Sequence, residues 1–496
     1  MTASETVAAI DLGSNSFHML VTQVTDGHVK VVDRMREMVR LACGLDECNL
    51  LTAVVMDRAI DCLQRFGQRL RSLPAGSVRA VGTNTLRKAR NSAQFLARAE
   101  QALGHRIDII SGHEEARLIY LGVSHSLEDD GKRRLVVDIG GGSTELILGR
   151  TFHPQRMESL HMGCVSMSLR FFPDGVITAD GMRAAEIHAL QELESVGPIF
   201  RAIGWETAIG ASGSVLAIHE AVVGEGWGRN GITAAGLKKL SKALVAAGHT
   251  GRVRIEGVTE ERAPVFPGGV AILSSVFEAL GVEQMGIANG ALREGLIYDL
   301  IGRIQQDDIR ERTVIELGGR YQIDVQQAGR VQRQAVALFD RVATAWRLHP
   351  VEHRQLLGWA AYLHEIGLSI SHSQYHKHGG YLLYNLDMPG FSRGEQQRLA
   401  CLVRSHRRKF PAAEFEVLPE EDAEVMRRLA VLLRLAVLAH RGRDEGAFGR
   451  LDISAGDDTI RIRFPSDWLA NHPLTQADLE QEAEYLRVIG FRLKCK

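Results

Sequence analysis

The chain has almost no net charge. Its 59 lysines and arginines are balanced by 60 aspartates and glutamates, which gives −1 at pH 7 with histidine neutral. A polyanion is attracted by an extended field of one sign, and this composition does not produce such a field. Any anion site must therefore be a local patch, and we expect no nucleic-acid partner.

Cysteine is scarce as well. The 496 residues include six cysteines, and none of them forms a C-x-x-C pair. Scattered cysteines in a long chain are typical of reduced thiols in the cytosol. The sequence also lacks any run of about 18 apolar residues, and MTASETVAAIDLG at its start lacks the charged residues and apolar run of a signal peptide. We therefore expect a cytoplasmic protein without a transmembrane helix.

The remaining composition is that of a globular protein of several domains. Hydrophobic residues make up 45% and charged residues 24%. Strand-like alternation and helical runs follow one another up to about residue 132, and the same plan restarts at Arg133. After Leu300, apolar residues recur at helical spacing. We predict α/β domains over 1–132 and 133–304, and a helical domain over 305–496 with a small hairpin near its end. Asp26-Gly27 predicts a hairpin turn in the first domain.

A glycine-rich turn lies between two strand patterns in VVDIGGGSTELILG (136–149). Glycines without Cβ atoms let a ligand approach the backbone, and successive N–H groups in such a turn form an anion site. The turn residues are Gly140, Gly141, Gly142 and Ser143. Asp138 and Glu145 flank them, and carboxylates beside a phosphate indicate a hard cation such as Mg²⁺ between the two. A plain hairpin is the simpler interpretation of this stretch alone.

An earlier copy of the turn makes the simpler interpretation less attractive. It lies 127 residues upstream, counted from Asp11 to Asp138, and it has the same order of apolar strand, aspartate, small residues and apolar strand. Its small residues are Gly13, Ser14, Asn15 and Ser16. A third candidate loop is GASGSV, in which Ser212 and Gly213 precede a helix whose first amides suit an anion. The sequence does not match the G-x-S-x-G motif of serine hydrolases, and helix capping is the alternative.

One carboxylate lies between the two copies. In SGHEEARLIYLGV, Ser111 and Glu114 fit a capping box, which leaves Glu115 in the first helical turn. An ionised carboxylate can activate a water molecule, but from the residues alone a favourable interaction with the helix dipole is the preferred explanation. Arg87 in GTNTLRKARNS is a candidate phosphate ligand, although such basic clusters are usually solvated helix faces.

The helical region is rich in histidine. His364-Glu365 lies where a phosphohydrolase of the HD type would have His-Asp. QRQAVALFDRV supplies no histidine on the preceding helix, so we favour an HD-like fold without a working metal site, and no paired Cys/His spacing indicates zinc. The histidines are His349, His353, His364, His372, His376, His378 and His406.

Taken together, the motifs resemble one family. AIDLGSNSFHMLV, SGHEEARLIYLG, VVDIGGGSTELILG, MGCVS, GASGSV and NGALREGLIYDL occur in the order typical of the exopolyphosphatase/guanosine pentaphosphate phosphohydrolase (Ppx/GppA) family. The resemblance covers essentially the whole chain. It implies two ribonuclease-H-like domains of the actin, Hsp70 and sugar-kinase superfamily, with a phosphate loop in each, followed by an HD-like helical domain.

The resemblance also implies roles for individual residues. It makes Glu115 the catalytic carboxylate, Asp11, Asp138 and Glu145 the Mg²⁺ positions, and Arg87 a phosphate contact. Another divalent cation is an alternative to Mg²⁺, and K⁺ is a candidate activator. The family association suggests a homodimer, and attachment to the inner face of the membrane is compatible with it.

Two substrates are compatible with this resemblance. GGGST and the basic stretch SHRRK (405–409) favour inorganic polyphosphate, so we expect an exopolyphosphatase that releases orthophosphate. Hydrolysis of guanosine pentaphosphate to the tetraphosphate, alone or together with the first activity, is the alternative. Outside the hydrolases, a kinase of the same fold would need adenosine and acceptor sites that we do not identify. A non-enzymatic sensor would not need Glu115.

Overall fold

The protein is described by a computed structural model that covers residues 5–25, 28–229, 231–305, 307–443 and 452–495. It divides into two compact units, Met1–Asp308 and Ile309–Lys496. None of the helices in these ranges combines the length and the apolar character needed to span a bilayer.

The first unit begins with a five-stranded sheet. Its strands and helices are β1 Glu5–Leu12, β2 Phe17–Thr25, β3 His28–Glu37, α1 Ala53–Leu70, β4 Val78–Gly82, α2 Asn84–Lys88, α3 Ser92–Leu103, β5 Ile107–Ile109 and α4 Gly112–Ser126. The strand order is β3-β2-β1-β4-β5, in which β1 is antiparallel to β2 and parallel to β4. The predicted turn at Asp26-Gly27 lies outside the described residues, but β2 and β3 pair antiparallel as it requires.

A second sheet repeats this order. Its elements are β6 Arg133–Ile139, β7 Thr144–Arg150, β8 His153–Leu160, α5 Cys164–Phe171, α6 Ala179–Leu193, α7 Gly197–Ile203, β9 Thr207–Ala211, α8 Ser212–Gly224, β10 Ile232–Thr233, α9 Ala234–Ala247, α10 Phe266–Leu280, β11 Gln284–Ile287 and α11 Leu292–Ile304. The order is β8-β7-β6-β9-β11, with β10 added at the edge. Each sheet therefore has a central hairpin whose turn is one of the two predicted loops.

Both faces of the central strands are buried, and alternate residues enter different cores. In β1, Ala8 and Ile10 pack with α1 and α3, whereas Val7 and Ala9 belong to a core shared with the second sheet. Such two-sided burial explains why these strands have near-continuous apolar runs.

The shared core depends on two closely packed helices, α4 and α11. A Cβ on Gly122 would lie 2.0 Å from the carbonyl oxygen of Ala291, and one on Gly295 would lie 1.8 Å from that of Leu118. Only glycine allows this approach of the two backbones. The helix that carries Glu115 is thereby held against α11.

The second unit is mainly helical. Its elements are α12 Ile309–Arg320, α13 Val325–Val342, α14 Glu352–Leu363, α15 Tyr375–Asn385, α16 Arg393–Ser405, α17 Ala413–Glu416, α18 Glu420–Ala439, β12 Asp452–Gly456, β13 Thr459–Arg463, α19 Trp468–Asn471, α20 Pro473–Arg487 and β14 Arg492–Cys495. In α13, Val331, Ala335, Leu338 and Val342 are buried at helical spacing. β12 and β13 form a hairpin, and β14 pairs parallel to β13.

The predicted α/β class and the helical C-terminal region are confirmed by these elements. The boundaries of the three predicted domains remain a prediction, because the two sheets share a core within one compact unit.

Candidate active site

Both predicted loops border one cavity in the first unit, of about 350 Å³. The loop Gly13–Ser16 joins β1 to β2, and the loop 140–143 joins β6 to β7. The β9–α8 junction, α4, β3 and the start of α11 also contribute to the wall. Of the predicted site residues, the lining includes Asp11, Gly13, Ser14, Asn15, Ser16, Glu115, Asp138, Gly140, Gly141, Gly142, Ser143, Ser212 and Gly213.

The two loops touch each other through glycine. A Cβ on Gly141 would lie 2.9 Å from the Cβ of Ser14, and one on Gly142 would lie 2.7 Å from Oδ1 of Asn84. A larger residue at Gly141 would push the loops apart, and one at Gly142 would collide with Asn84 in α2. The glycines of the second turn are thus required by the close approach of the first turn and of α2, and the anion-binding backbone of both turns is concentrated in one place.

The hydroxyls of the first loop are held by partners that donate to them. Thr85 Oγ1 donates to Ser14 Oγ over 2.8 Å. Ser16 Oγ lies 2.8 Å from His18 Nε2, and Arg293 lies 2.9 Å from His18 Nδ1. Because arginine only donates, Nδ1 accepts and Nε2–H donates to Ser16. Both serine protons are therefore available to a ligand.

The half-buried Asp11 and the buried Asp138 face the cavity. Burial raises the pKa of Asp11 to about 7, and the nearby Glu115 carboxylate adds to the effect. The pKa of Asp138 is also raised to about 7, first by burial and then by Glu115. Oδ1 of Asp11 is buried without a hydrogen-bond partner among the described residues. Neither aspartate forms an ion pair with an arginine or lysine among the described residues, and a bound cation would supply the compensating charge.

Glu145 adjoins this group without lining the cavity. It pairs directly with Asp138 across β6 and β7, and its carboxylate accepts a hydrogen bond from Ser159 over 2.8 Å. Burial, followed by the charges of Glu115 and Asp138, raises its pKa well above the usual range. The structure therefore places the predicted metal residue behind Asp138, where it affects the charge of the site.

Glu115 is fixed by the start of α4. Ser111 caps the helix by accepting from the N–H of Glu114, but the carboxylate of Glu114 binds Arg117, so the predicted capping box is only half formed. Arg87 Nη1 donates to Oε2 of Glu115 over 2.8 Å and to the Ile110 carbonyl over 2.9 Å. Arg87 itself does not line the cavity, so in this structure the predicted phosphate ligand orients the carboxylate.

The third loop carries backbone strain. Ser212 has a φ of 69°, in the left-handed region that costs a residue with a side chain about 1–3 kcal/mol. Its hydroxyl donates to the Ile139 carbonyl over 3.0 Å. Arg262 donates to the carbonyl of Gly213. These contacts hold the N-terminus of α8 at the cavity.

A basic group at the cavity was not predicted. In the strand register, His18 of β2 lies opposite Asp11 of β1 and opposite Arg36 of β3. The three side chains therefore form a row across β1, β2 and β3. Arg34 is two residues from Arg36 on the same face of β3, and Arg293 approaches from α11. Burial, and then the positive charge of Arg293, lowers the pKa of His18 to about 3, so this histidine is neutral.

The sequence contained a weak signal for these residues. Arg34 and Arg36 flank Met35 in β3, and Arg293 lies within the quoted motif NGALREGLIYDL. Neither pattern identifies a cavity, because β3 and α11 are about 250 residues apart in sequence. Asn84 and Arg262 were missed for the same reason.

Comparisons with known proteins place these features in a family. Residues 20–304 match the model of the Ppx/GppA phosphatase family, and residues 309–483 match Ppx/GppA phosphatase, domain III. The chain is 42% identical over 98% of its length to the guanosine-5′-triphosphate,3′-diphosphate pyrophosphatase of Aeromonas hydrophila, and 43% identical over 99% to that of Vibrio cholerae. The alignments cover 97% and 98% of these relatives.

Solved structures show the fold. An exopolyphosphatase from Cytophaga hutchinsonii matches 60% of this chain and 98% of its own, with 24% identity and a TM-score of 0.55. A Ppx/GppA family member from Aquifex aeolicus matches 61% of this chain and 99% of its own, with 24% identity and a TM-score of 0.51. With the repeated strand order, these matches confirm the predicted actin-like arrangement.

The expectation of an exopolyphosphatase is wrong. The curated relatives that align over nearly the whole chain are named for guanosine-5′-triphosphate,3′-diphosphate, as in the alternative interpretation. GGGST and SHRRK could not decide between the substrates, because both substrates end in the same phosphoanhydride and both attract cations. The resemblance to the family itself is confirmed.

Proposed function

The chain belongs to the Ppx/GppA phosphatase family and is a phosphoanhydride hydrolase, and from this premise we propose that it hydrolyses guanosine pentaphosphate. Water attacks the terminal phosphorus of the 5′-triphosphate, the bond to the bridging oxygen breaks, and orthophosphate and the tetraphosphate are released. The observation that carries the proposal is the convergence of both loops and Glu115 on one cavity.

The loops would bind the terminal phosphoryl group. Their backbone N–H groups and the hydroxyls of Ser14, Ser16 and Ser143 are donors on the same cavity wall. Preorganised donors of this kind stabilise charge that develops on the equatorial oxygens. Arg293 and His18 keep Ser16 in the orientation that leaves its proton for the phosphate.

Magnesium fits the carboxylates as a partly hydrated ion. Among the residues that the structure describes, no three histidine, cysteine or carboxylate side chains are grouped to surround a metal. Mg²⁺ commonly uses one or two carboxylates together with water and phosphate oxygens. Asp11, with its unpartnered Oδ1, and Asp138 would hold it in this way. When bound, it would neutralise charge on the phosphates.

Glu115 would accept the proton of the attacking water. One carboxylate oxygen is occupied by Arg87, which orients the group and leaves the other oxygen for water. General-base catalysis contributes about 10²–10⁴-fold to such reactions. Arg87 is thus a positioning residue in this proposal.

The basic group supports a substrate with a second anionic chain. The two loops are sufficient for one phosphoryl group, yet Arg34, Arg36 and Arg293 add positive charge along the same cavity. The 3′-diphosphate of guanosine pentaphosphate would supply the complementary negative charge.

The proposal is tested by comparing Glu115→Gln with the wild type. We expect phosphate release from guanosine pentaphosphate to fall by about 10²–10⁴-fold. Glu128→Gln is the matched control, because Glu128 is exposed just beyond the end of α4. Full activity of Glu115→Gln would contradict the assigned role. If the wild-type enzyme turns over GTP as efficiently as guanosine pentaphosphate, the proposed substrate is wrong.

A further inference from the structure

The helical unit contains its own cavity, of about 320 Å³, and its lining is basic. Three carboxylates and five arginines contribute to it. The carboxylates are Glu365, Asp478 and Glu482, and the arginines are Arg407, Arg408, Arg434, Arg441 and Arg443. The proposed active site uses no residue of this unit.

Each lining carboxylate is already paired with an arginine. Arg434 binds Glu482, Arg441 binds Asp478, and Arg443 binds Glu365 over 2.7 Å. Among the described residues that line the cavity, five arginines and three carboxylates therefore leave an excess of two positive charges.

These two charges belong to Arg407 and Arg408. Neither residue pairs with a carboxylate among the described residues. The guanidinium of Arg407 lies over the ring of Tyr375, 4.5 Å from its centroid. Stacking of this kind holds the guanidinium plane while leaving its edge available for hydrogen bonds.

A buried arginine holds this segment in place. Arg434 is 2% exposed, and it donates to the carbonyl of Ser405 and, over 2.6 Å, to that of Arg408. Arg408 has a φ of 63°, in the left-handed region. Unfavourable backbone of this kind persists where the surroundings impose it and is concentrated at functional sites. The backbone that presents the two unpaired cations is thus preorganised.

Two buried histidines stand beside the cations. Nδ1 of His364 lies 2.7 Å from the Ala361 carbonyl, and Nδ1 of His406 lies 2.6 Å from the Val403 carbonyl. Each Nδ1–H is thereby donated to backbone, and Nε2 of His406 has no hydrogen-bond partner among the described residues. Burial lowers the pKa of both imidazoles. A neutral His406 therefore offers an unused acceptor at the edge of a cationic cavity.

We propose that this cavity binds the phosphoryl group of a small phosphorylated ligand, with Arg407 and Arg408 donating to its oxygens. A phosphoryl group matches the paired, fixed guanidinium donors. A P–OH or a neighbouring hydroxyl of the ligand matches the acceptor on His406. Orthophosphate and a phosphate ester share this chemistry.

Ligand binding is followed through the signal of His406, which lines the cavity. The full-length protein is labelled with ¹³C on the histidine rings, and the signal of His406 is assigned by its loss in His406→Gln. Orthophosphate and guanosine 5′-monophosphate are titrated separately. We expect the His406 signal to shift and saturate, and Arg407→Gln/Arg408→Gln to weaken binding at least about tenfold, because it removes two charge-assisted contacts.

The matched control removes two positive charges outside the cavity. Lys409→Gln/Arg487→Gln changes the net charge equally at exposed positions that do not line it, and it should bind as the wild type does. Saturation by orthophosphate identifies free phosphate as sufficient, and much tighter binding of the monophosphate identifies an ester. A His406 signal that does not move with either probe, or that moves equally in both double variants, overturns the proposal. Turnover of guanosine pentaphosphate is measured in parallel, so that failure of the proposed catalytic function is distinguished from failure of ligand binding at this cavity.

Discussion

Asp138→Asn should stabilise the metal-free protein at alkaline pH while impairing it as a catalyst. Asp138 is 5% exposed, and burial together with the charge of Glu115 raises its pKa from 3.8 to about 7. Ionisation of this group therefore opposes folding. Asparagine keeps the shape of the side chain and its hydrogen-bonding oxygen but cannot ionise.

The expected difference in unfolding free energy follows from the pKa shift of Asp138. A raised carboxyl pKa means that the folded protein binds the proton more tightly, so stability is lost as pH rises from about 4 to about 7 and is constant above that. Three units at about 1.4 kcal/mol each correspond to about 4 kcal/mol. Wild type and Asp138→Asn should therefore be similar near pH 4, and the variant should be more stable by up to about 4 kcal/mol at pH 8.

The assay is thermal unfolding between pH 4 and pH 8 in EDTA, with Asp61→Asn on the exposed side of α1 as control. We expect a Tm difference of several degrees for Asp138→Asn at pH 8 and little for the control. Added Mg²⁺ should raise the Tm of the wild type more than that of the variant. If the Tm difference between the wild type and Asp138→Asn is the same at every pH in this range, Asp138 is not protonated in the folded protein and the prediction is wrong.

Two further substitutions test the packing of α4 on α11 and the preference for guanosine pentaphosphate over GTP. Gly295→Ala places a methyl group against the Leu118 carbonyl, so it should cost about 1–3 kcal/mol in unfolding free energy and lower turnover. Its control, Gly319→Ala, faces open space in α12 and should stabilise by about 0.5–1 kcal/mol. Arg36→Gln should lower kcat/KM for guanosine pentaphosphate about tenfold and affect GTP less, and equal losses on both substrates would contradict a role at the second anionic chain.

Much of the fold could be predicted from local patterns. Short apolar runs beside the two small-residue turns located β1, β6 and β7, and the capping residue Ser111 located the start of α4, because these signals depend on neighbouring residues only. The packing of α4 on α11 could not be predicted. It depends on a glycine in each helix, and the two glycines are far apart in sequence.

The sequence by itself determined the chemistry of the loops: small residues that expose backbone, with an aspartate before each turn and a carboxylate at the start of a helix. Tertiary structure decided how these parts are charged and what surrounds them. Burial beside Glu115 gives Asp138 its raised pKa, and pairing of β2 with β3 brings Arg36 into line with His18 and Asp11. Such effects depend on distances through space and on exclusion of water, and neither can be deduced from the order of residues along the chain.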